Sequence, residues 1–358
     1  MINGMTQNQR SRNGRRPKVL DKTITLAHGS GGRAMQDLIS EIFIQKFQDT
    51  AAPLEDQARI PLDALTQLGD RLAFTTDSYV VDPLFFPGSN IGELAVNGTV
   101  NDLCVSGAIP LYLTCSLILE EGFSIHQLHQ IIESMKAAAD RADVRIVTGD
   151  TKVVPRGSAD KIFINTAGVG IMRKGITPAV NRLQSGDMVL INGPIGNHGA
   201  AIMVARGELA LDTDIQSDCQ PLNGLVDVIV EACPQVRAMR DATRGGLATV
   251  LNEFAIASYV GIQLMESDIP VDEPVAGFCE LLGLEPLYLA NEGKLVVVVP
   301  PDRAEITLNA MRSHPAGAGS RIIGQVVDQS PGFVSLTTDF GTERIIDVLV
   351  GDQLPRIC

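Results

Sequence analysis

Ser124-Ile-His-Gln-Leu-His-Gln-Ile-Ile-Glu-Ser-Met-Lys-Ala-Ala-Ala139 sets the architecture of this chain. Ser124 can accept the unpaired N–H groups of a first helical turn, and Ile125, Leu128, Ile132, Met135 and Ala139 recur at helical spacing. The stretch therefore predicts an amphipathic helix with one buried face. His126 and His129 fall beside that stripe and read as surface residues. Tyr112 to Leu119 before the helix and Arg145-Ile-Val-Thr148 after it have strand character. Strand, helix and strand in succession point to a mixed α/β class.

Toward the N-terminus, a helix from Ile91 to Val105 carries Asn97 and Asn101, and Gly98 and Asp102, one turn apart on an otherwise apolar element. Such polar groups need partners: a metal, a phosphate, capping or solvent. Arg71 to Thr76 reads as a strand ending at Asp77, with Asp82-Pro83 in the following loop and Asp63 upstream. Further back, a strand at Ile24–Leu26 leads into His28-Gly-Ser-Gly-Gly-Arg33 and a helix from Ala34 to Phe47. The glycines allow successive N–H groups to face one anion, although a Gly-rich turn equally serves to reverse the chain. It is not a Walker loop, since it lacks the GKS or GKT ending.

Toward the C-terminus, Gly149-Asp150-Thr151-Lys152 reads as a loop at a strand end, and Lys161 to Met172 closes the first half. The second half begins near Lys174. It holds a strand at 187–192, helices at His198–Gly207 and Pro221–Cys233, and the loop Asp241-Ala-Thr-Arg-Gly-Gly246 opening a helix at Leu247–Ser258. Strands follow at 260–265, 294–299, 321–327 and 333–337, with the polar turn Ala290-Asn-Glu-Gly293 between them. The halves share an order of elements but no sequence repeat.

At 358 residues the chain is long enough for two domains with substantial cores. The first 18 residues carry Arg10, Arg12, Arg15, Arg16 and Lys18 and no acid. Removing those five charges from the formal net charge of -13 leaves -18 on the rest. Such a body repels nucleic acid and anionic membrane and suits carboxylate-bound metal ions. Six cysteines without CxxC spacing indicate a reducing, cytoplasmic setting, and no apolar run approaches a membrane span.

Asp63, Asp77, Asp102, Asp150 and Asp241 sit at strand ends, in loops or on a polar helix face. One loop aspartate is ordinarily a solvated or capping residue. Several converging would require a cation, and Mg²⁺ prefers carboxylate and phosphate oxygens together. Lys152, Arg244 and Arg33 are the cations available to a triphosphate. Magnesium-nucleotide is the economical reading. The chain ends Leu354-Pro-Arg-Ile-Cys358, where Pro355 favours an extended path; from Ile346 such a tail reaches at most ~40 Å.

His28-Gly-Ser-Gly-Gly32, Thr75-Thr-Asp-Ser78, Asn97-Gly-Thr-Val-Asn-Asp102, Val147-Thr-Gly-Asp-Thr-Lys152, Arg240-Asp-Ala-Thr-Arg-Gly-Gly246, Ala290-Asn-Glu-Gly-Lys294 and the Pro-Arg-Ile-Cys end together resemble the HypE family of hydrogenase maturation factors. The resemblance runs from about Leu26 to Cys358 and excludes the basic leader. It implies the two-domain fold of the aminoimidazole ribonucleotide synthetase superfamily, which includes selenophosphate synthetase and thiamine-monophosphate kinase. The expected divisions are a leader at 1–20, an ATP-binding and dimerising domain at 21–173, a C-terminal α/β domain at 174–345 and a flexible tail at 346–358. It also implies a homodimer, ATP with Mg²⁺, a carbamoyltransferase partner (HypF) and an iron-scaffold complex (HypC–HypD).

The implied reaction is ATP-dependent dehydration of a carbamoyl group on Cys358 to a thiocyanate, supplying cyanide for [NiFe]-hydrogenase iron. The Asp63, Asp77, Asp102, Asp150 and Asp241 carboxylates are assigned to the metal. His28, Gly29, Ser30, Gly31 and Gly32 are assigned to phosphate, and Asp77, Asn101, Thr148, Gly149 and Arg244 to nucleotide contacts. By resemblance, proton handling falls to Lys152 and Glu292; without it, they read as a surface ion pair and a turn residue. Cys358 is then substrate, its thiol pKa raised by the neighbouring α-carboxylate and lowered by Arg356. The rivals are a small-molecule kinase or synthetase of the same fold and a nucleotide-gated scaffold.

Overall fold

The computed structural model describes residues 18–47, 55–207, 213–349, 351, 357 and 358. Nearly all of the basic leader and Leu354, Pro355 and Arg356 of the tail lie outside these residues. The expected strand at 24–26 is replaced by a single β-bridge from Thr23 to Ser124 and a 3₁₀ turn at Leu26–Gly29. The helix expected at 34–47 is α1 (Arg33–Leu38), a π-helical stretch at Ile39–Ile44 and α2 (Gln45–Phe47). α3 (Leu62–Thr66) then leads into the first strand.

The first half is a four-stranded sheet of β1 (Arg71–Tyr79), β4 (Ala108–Glu120), β5 (Arg145–Val154) and β6 (Ile162–Met172), in the order β1-β6-β4-β5. A two-stranded hairpin, β2 (Phe85–Phe86) with β3 (Ser89–Asn90), precedes α4 (Ile91–Val105). The opening stretch of the sequence forms α5 (Ile125–Arg141), with Ser124 capping the N–H of Gln127. It joins β4 to β5 as a parallel pair, and that pairing carries the strand on through Gly149–Lys152, which sequence placed in a loop. β1 and β4 both flank β6 antiparallel.

α4 and α5 cover one face of this sheet. A Cβ at Gly92 would lie 2.4 Å from the Ile131 carbonyl oxygen, so glycine permits the close crossing of the two helices. The opposite face is bare. On β1 it presents Leu72 and Phe74, the latter 70% exposed. The ladder registers set Phe74 beside Val169 and Tyr112, and Ile118 beside Phe163, on that same face.

The second half comprises β7 (Met188–Ile191), α6 (Asn197–Ala205), α7 (Asn223–Ala232), β8 (Ala238–Asp241), α8 (Gly246–Ser258), β9 (Gly261–Met265), α9 (Glu273–Leu282), β10 (Leu295–Val299), α10 (Ala304–Ser313), β11 (Arg321–Val327), β12 (Val334–Thr337) and β13 (Glu343–Ile346). Its seven strands run β13-β12-β9-β11-β7-β10-β8. All five residues of β10 are buried, because both faces of the sheet are covered. Val296 and Val298 pack toward Leu251 and Phe254 of α8; Leu295, Val297 and Val299 pack toward Leu225 and Ile229 of α7 and Met311 of α10.

The halves meet along α4, whose residues are almost all buried. Asn101 Nδ2 donates to the Gln220 carbonyl at 3.1 Å and the Glu292 carbonyl at 3.3 Å, while its Oδ1 accepts the Leu222 N–H at 2.8 Å. Its polarity on an apolar helix is thus satisfied by backbone of the second half. Among the described residues, no helix is long and apolar enough to cross a membrane, and all six cysteines are free.

Candidate active site

The chain end is inside the molecule. Ile357 is buried against the first-half core, and Val80 N–H donates to the Cys358 carbonyl oxygen at 3.0 Å. His198, fully buried near the start of α6, donates from Nε2 to the Ile357 carbonyl at 2.7 Å. Its Nδ1 lies 2.9 Å from Ser217 Oγ, and Ser217 Oγ accepts the Cys219 N–H at 3.2 Å. Burial holds His198 below its ordinary pKa, so the ring is neutral near pH 7. One nitrogen then donates to the tail and the other accepts from Ser217. The Cys358 thiol is pushed up to about 12, chiefly by burial and next by Glu292, with Arg244 opposing. The direction matches expectation, but desolvation leads the causes rather than the terminal carboxylate.

Glu292 is near enough to act on the thiol electrostatically. Burial raises its pKa well above the usual carboxylate range, and Asp241, Asp218, Asp77 and Asp102 add to the effect. Its main chain is rigid: Asp218 accepts the N–H of Glu292 at 3.0 Å and of Gly293 at 3.2 Å, and pairs with buried Lys294 at 2.9 Å. A Cβ at Gly293 would fall 1.9 Å from the Asp218 carbonyl oxygen, so only glycine fits there.

Asp77, Asp102 and Asp241 lie within electrostatic reach of one another. Thr75 Oγ1 donates to Asp102 at 3.0 Å, and burial raises the pKa of that carboxyl. Asp241, at the end of β8, is pushed up to about 7 by burial and by Asp102. Asp77 adds to the rise at both Asp102 and Asp241, and three such carboxylates are a donor set that suits a divalent cation with phosphate oxygens. Among the described residues, no three His, Cys, Asp or Glu side chains close around a point as preformed ligands. Arg244 is exposed on the loop beside them.

The remaining predicted residues lie elsewhere. Asp63 is exposed on α3. Asp150 and Lys152 stand on β5, the sheet edge opposite Asp77 on β1. Three strand spacings, about 14 Å, separate those edges. Lys152 is exposed and pairs with Asp150 at 2.7 Å. The register places Thr148, Asp150 and Lys152 on the bare face with Thr114, Ser116 and Ile118.

The Gly-rich turn sits against β5, with Gly29 so close to Val153 that a Cβ would come within 2.8 Å. His28 is buried and accepts the Thr25 N–H at 3.0 Å, so it holds the turn, while Gly31, at φ +78°, faces open space. Beside this turn is a cavity of about 540 Å³, lined by Met35, Ile39, Phe43, Tyr112, Thr148 and Gly149. The predicted site is therefore split between two edges of one sheet. His198, Ser217 and Asp218 were not anticipated from sequence; Asp218 and Ser217 lie in an irregular segment without a motif.

Residues 55–172 match the AIR synthase related protein N-terminal domain, and residues 184–336 its C-terminal domain. Carbamoyl dehydratase HypE of Rhodobacter capsulatus is 52% identical over 338 residues, covering 94% of this chain and 99% of its own. The chain belongs to the HypE family. A crystal structure of the hydrogenase maturation protein HypE in complex with ATP superposes with a TM-score of 0.87 at 46% identity, covering 93% of this chain and 99% of that one. A HypE–HypF complex superposes at 0.76 with 45% identity, covering 87% and 99%. The matched N- and C-terminal domains bear out the two-domain fold class expected from sequence.

Proposed function

We propose that this chain is an ATP-dependent carbamoyl dehydratase whose substrate is a carbamoyl group on its own Cys358. The observation that carries the reading is the docking of the chain end on His198 and Val80, which sets the thiol within electrostatic reach of buried Glu292, Arg244 and Asp77. A thiol held protonated is poorly suited to attack and well suited to carry a group. Bound Mg²⁺-ATP supplies the phosphoryl group that turns the carbamoyl oxygen into a leaving phosphate.

Asp77, Asp102 and Asp241 would hold the metal, and the open glycines at 31 and 32 and Arg244 would contact phosphate. Glu292, a strong base when ionised because it is buried, takes one proton from the amide nitrogen. Lys152 gives a proton to the departing phosphate and regains one from nitrogen. Loss of both nitrogen protons and the phosphate leaves S–C≡N on Cys358.

Lys152 and Glu292 lie too far apart for one chain to use both on one carbamoyl group. A homodimer formed through the bare sheet face would bring Lys152 of a second copy to this site, with the nucleotide in the cavity beside the Gly-rich turn. Burying Ile357 contributes about 1.5–3 kcal/mol and each of two hydrogen bonds about 1, while ordering two residues costs about 2–4. The balance favours docking by about 0–3 kcal/mol, small enough for the tail to leave to meet a HypF-like carbamoyltransferase and a HypC–HypD-like iron scaffold in the cytoplasm.

Mass spectrometry of the C-terminal peptide tests this. Carbamoyl phosphate, the carbamoyltransferase and ATP should give a carbamoylated and then a cyanylated Cys358. ATP turnover with an unmodified tail would favour a kinase, and no turnover a scaffold.

A further inference from the structure

We infer that His198, oriented by Ser217, is a positioning residue that latches the terminal dipeptide in the site. The mechanism above uses neither side chain. His198 is completely buried, its ring edge-on to Phe86 with centroids 5.5 Å apart, so packing leaves the imidazole little freedom to turn. Ser217 is held in turn, because its N–H donates to the Pro87 carbonyl at 2.8 Å and its Oγ accepts the Cys219 N–H. Because the Ile357 carbonyl can only accept, Nε2 carries the proton of the neutral ring, and the Ser217 hydroxyl donates to Nδ1 and holds that tautomer.

The latch reads main chain. It takes the Ile357 carbonyl, while Val80 takes the Cys358 oxygen and the Ile357 side chain enters the core. Three points define the path of two residues, and none of them is the Cys358 sulfur. His198 thus selects a position along the chain and leaves the terminal side chain free to carry a modification. The adjoining residue in the same segment, Asp218, grips the Glu292 backbone. One short stretch, Ser217-Asp218, therefore aligns the substrate-bearing tail with the group that acts on it.

The inference rests on Cys358 being the substrate, but its test reads docking whether or not dehydration occurs. Full-length protein is treated with iodoacetamide without nucleotide, and alkylation of Cys358 is followed by mass spectrometry of the C-terminal peptide. His198→Phe keeps a ring against Phe86 and loses the donor; alkylation should rise about tenfold, the effect of one lost buried hydrogen bond. His198→Gln, which restores an N–H near the Nε2 position, should fall back to within about threefold of the parent, and Ser217→Ala should lie between. Unchanged alkylation in both His198→Phe and Ser217→Ala would overturn the latch. So would His198→Gln behaving like His198→Phe while both melt cooperatively at the parent temperature. If His198→Phe does not fold, the Ser217→Ala rate alone decides. A latch confirmed by labelling with no thiocyanate formed would instead count against the dehydratase reading.

Discussion

Asp218 holds Glu292 by its backbone: the Asp218 carboxylate accepts the Glu292 N–H at 3.0 Å and balances Lys294, itself nearly buried, at 2.9 Å. Burial alone would raise the Asp218 pKa, but Lys294 and the Glu292 N–H outweigh it and hold the group below its ordinary 3.8. An acid with a lowered folded-state pKa stabilises the fold above its unfolded pKa, and that contribution disappears as pH falls through the lowered value. Asp218→Ala leaves Lys294 buried without its partner and should cost about 3–5 kcal/mol by urea unfolding at pH 7. The gap between parent and variant should close as the titration is repeated below about pH 4. A gap unchanged from pH 7 to pH 3 would remove the ion pair from the account.

Cys358→Ala should bind ATP as the parent does and yield no cyanylated peptide. Glu292→Gln should accept the carbamoyl group and then stall, with dehydration slowed about 10²-fold or more. Quenched-flow mass spectrometry of the terminal peptide measures both steps. Normal thiocyanate formation by Glu292→Gln would take Glu292 out of the chemistry.

In the proposed dimer each site takes Glu292 from one copy and Lys152 from the other, so Lys152→Ala and Glu292→Gln should complement each other. Random exchange of equal amounts gives half mixed dimers, each with one intact site in two, so about a quarter of parental activity should return. Phe74→Asp, on the bare face of the sheet, should abolish that recovery and shift the protein to monomer in sedimentation velocity. Mixtures with no more activity than the single variants would place both residues in one chain.

Asp241, pushed up to about 7 by burial and by Asp102, keeps a proton in the folded chain that an unfolded aspartate has lost. Between pH 3.8 and 7 the unfolded chain therefore binds fewer protons, so this group costs stability as pH rises and the loss is complete above about 7. Asp241→Asn should raise the melting temperature by several degrees at pH 8 without nucleotide or Mg²⁺, and leave it unchanged at pH 4. Equal melting of the two proteins at pH 8 would show that Asp241 is not desolvated as the fold implies.

Much of this was legible from local pattern. The stripe of α5, the capped start at Ser124, the polar turns at 241–246 and 290–293 and the terminal cysteine can each be read from neighbouring residues. Periodicity follows burial of one face, and that is a property of nearby chain. Less legible were the elements α9, α10, β8 and β13, and the continuation of β5 through Lys152. That continuation depends on parallel pairing with β4, whose hydrogen bonds come from residues some 30 positions away.

The functional groups divide in the same way. Residue chemistry and spacing singled out carboxylates suited to a metal and glycines suited to phosphate, while the thiol as workpiece came from the family resemblance. Folding chose which aspartates meet, bringing Asp77, Asp102 and Asp241 together and leaving Asp63 and Asp150 exposed elsewhere. It also put Lys152 on the far edge of the sheet and gave the chain end a bed of His198, Val80 and buried Glu292. Local sequence encodes what a side chain can do; burial, charge and reach arise from residues distant in the chain, and these set its protonation and its partners.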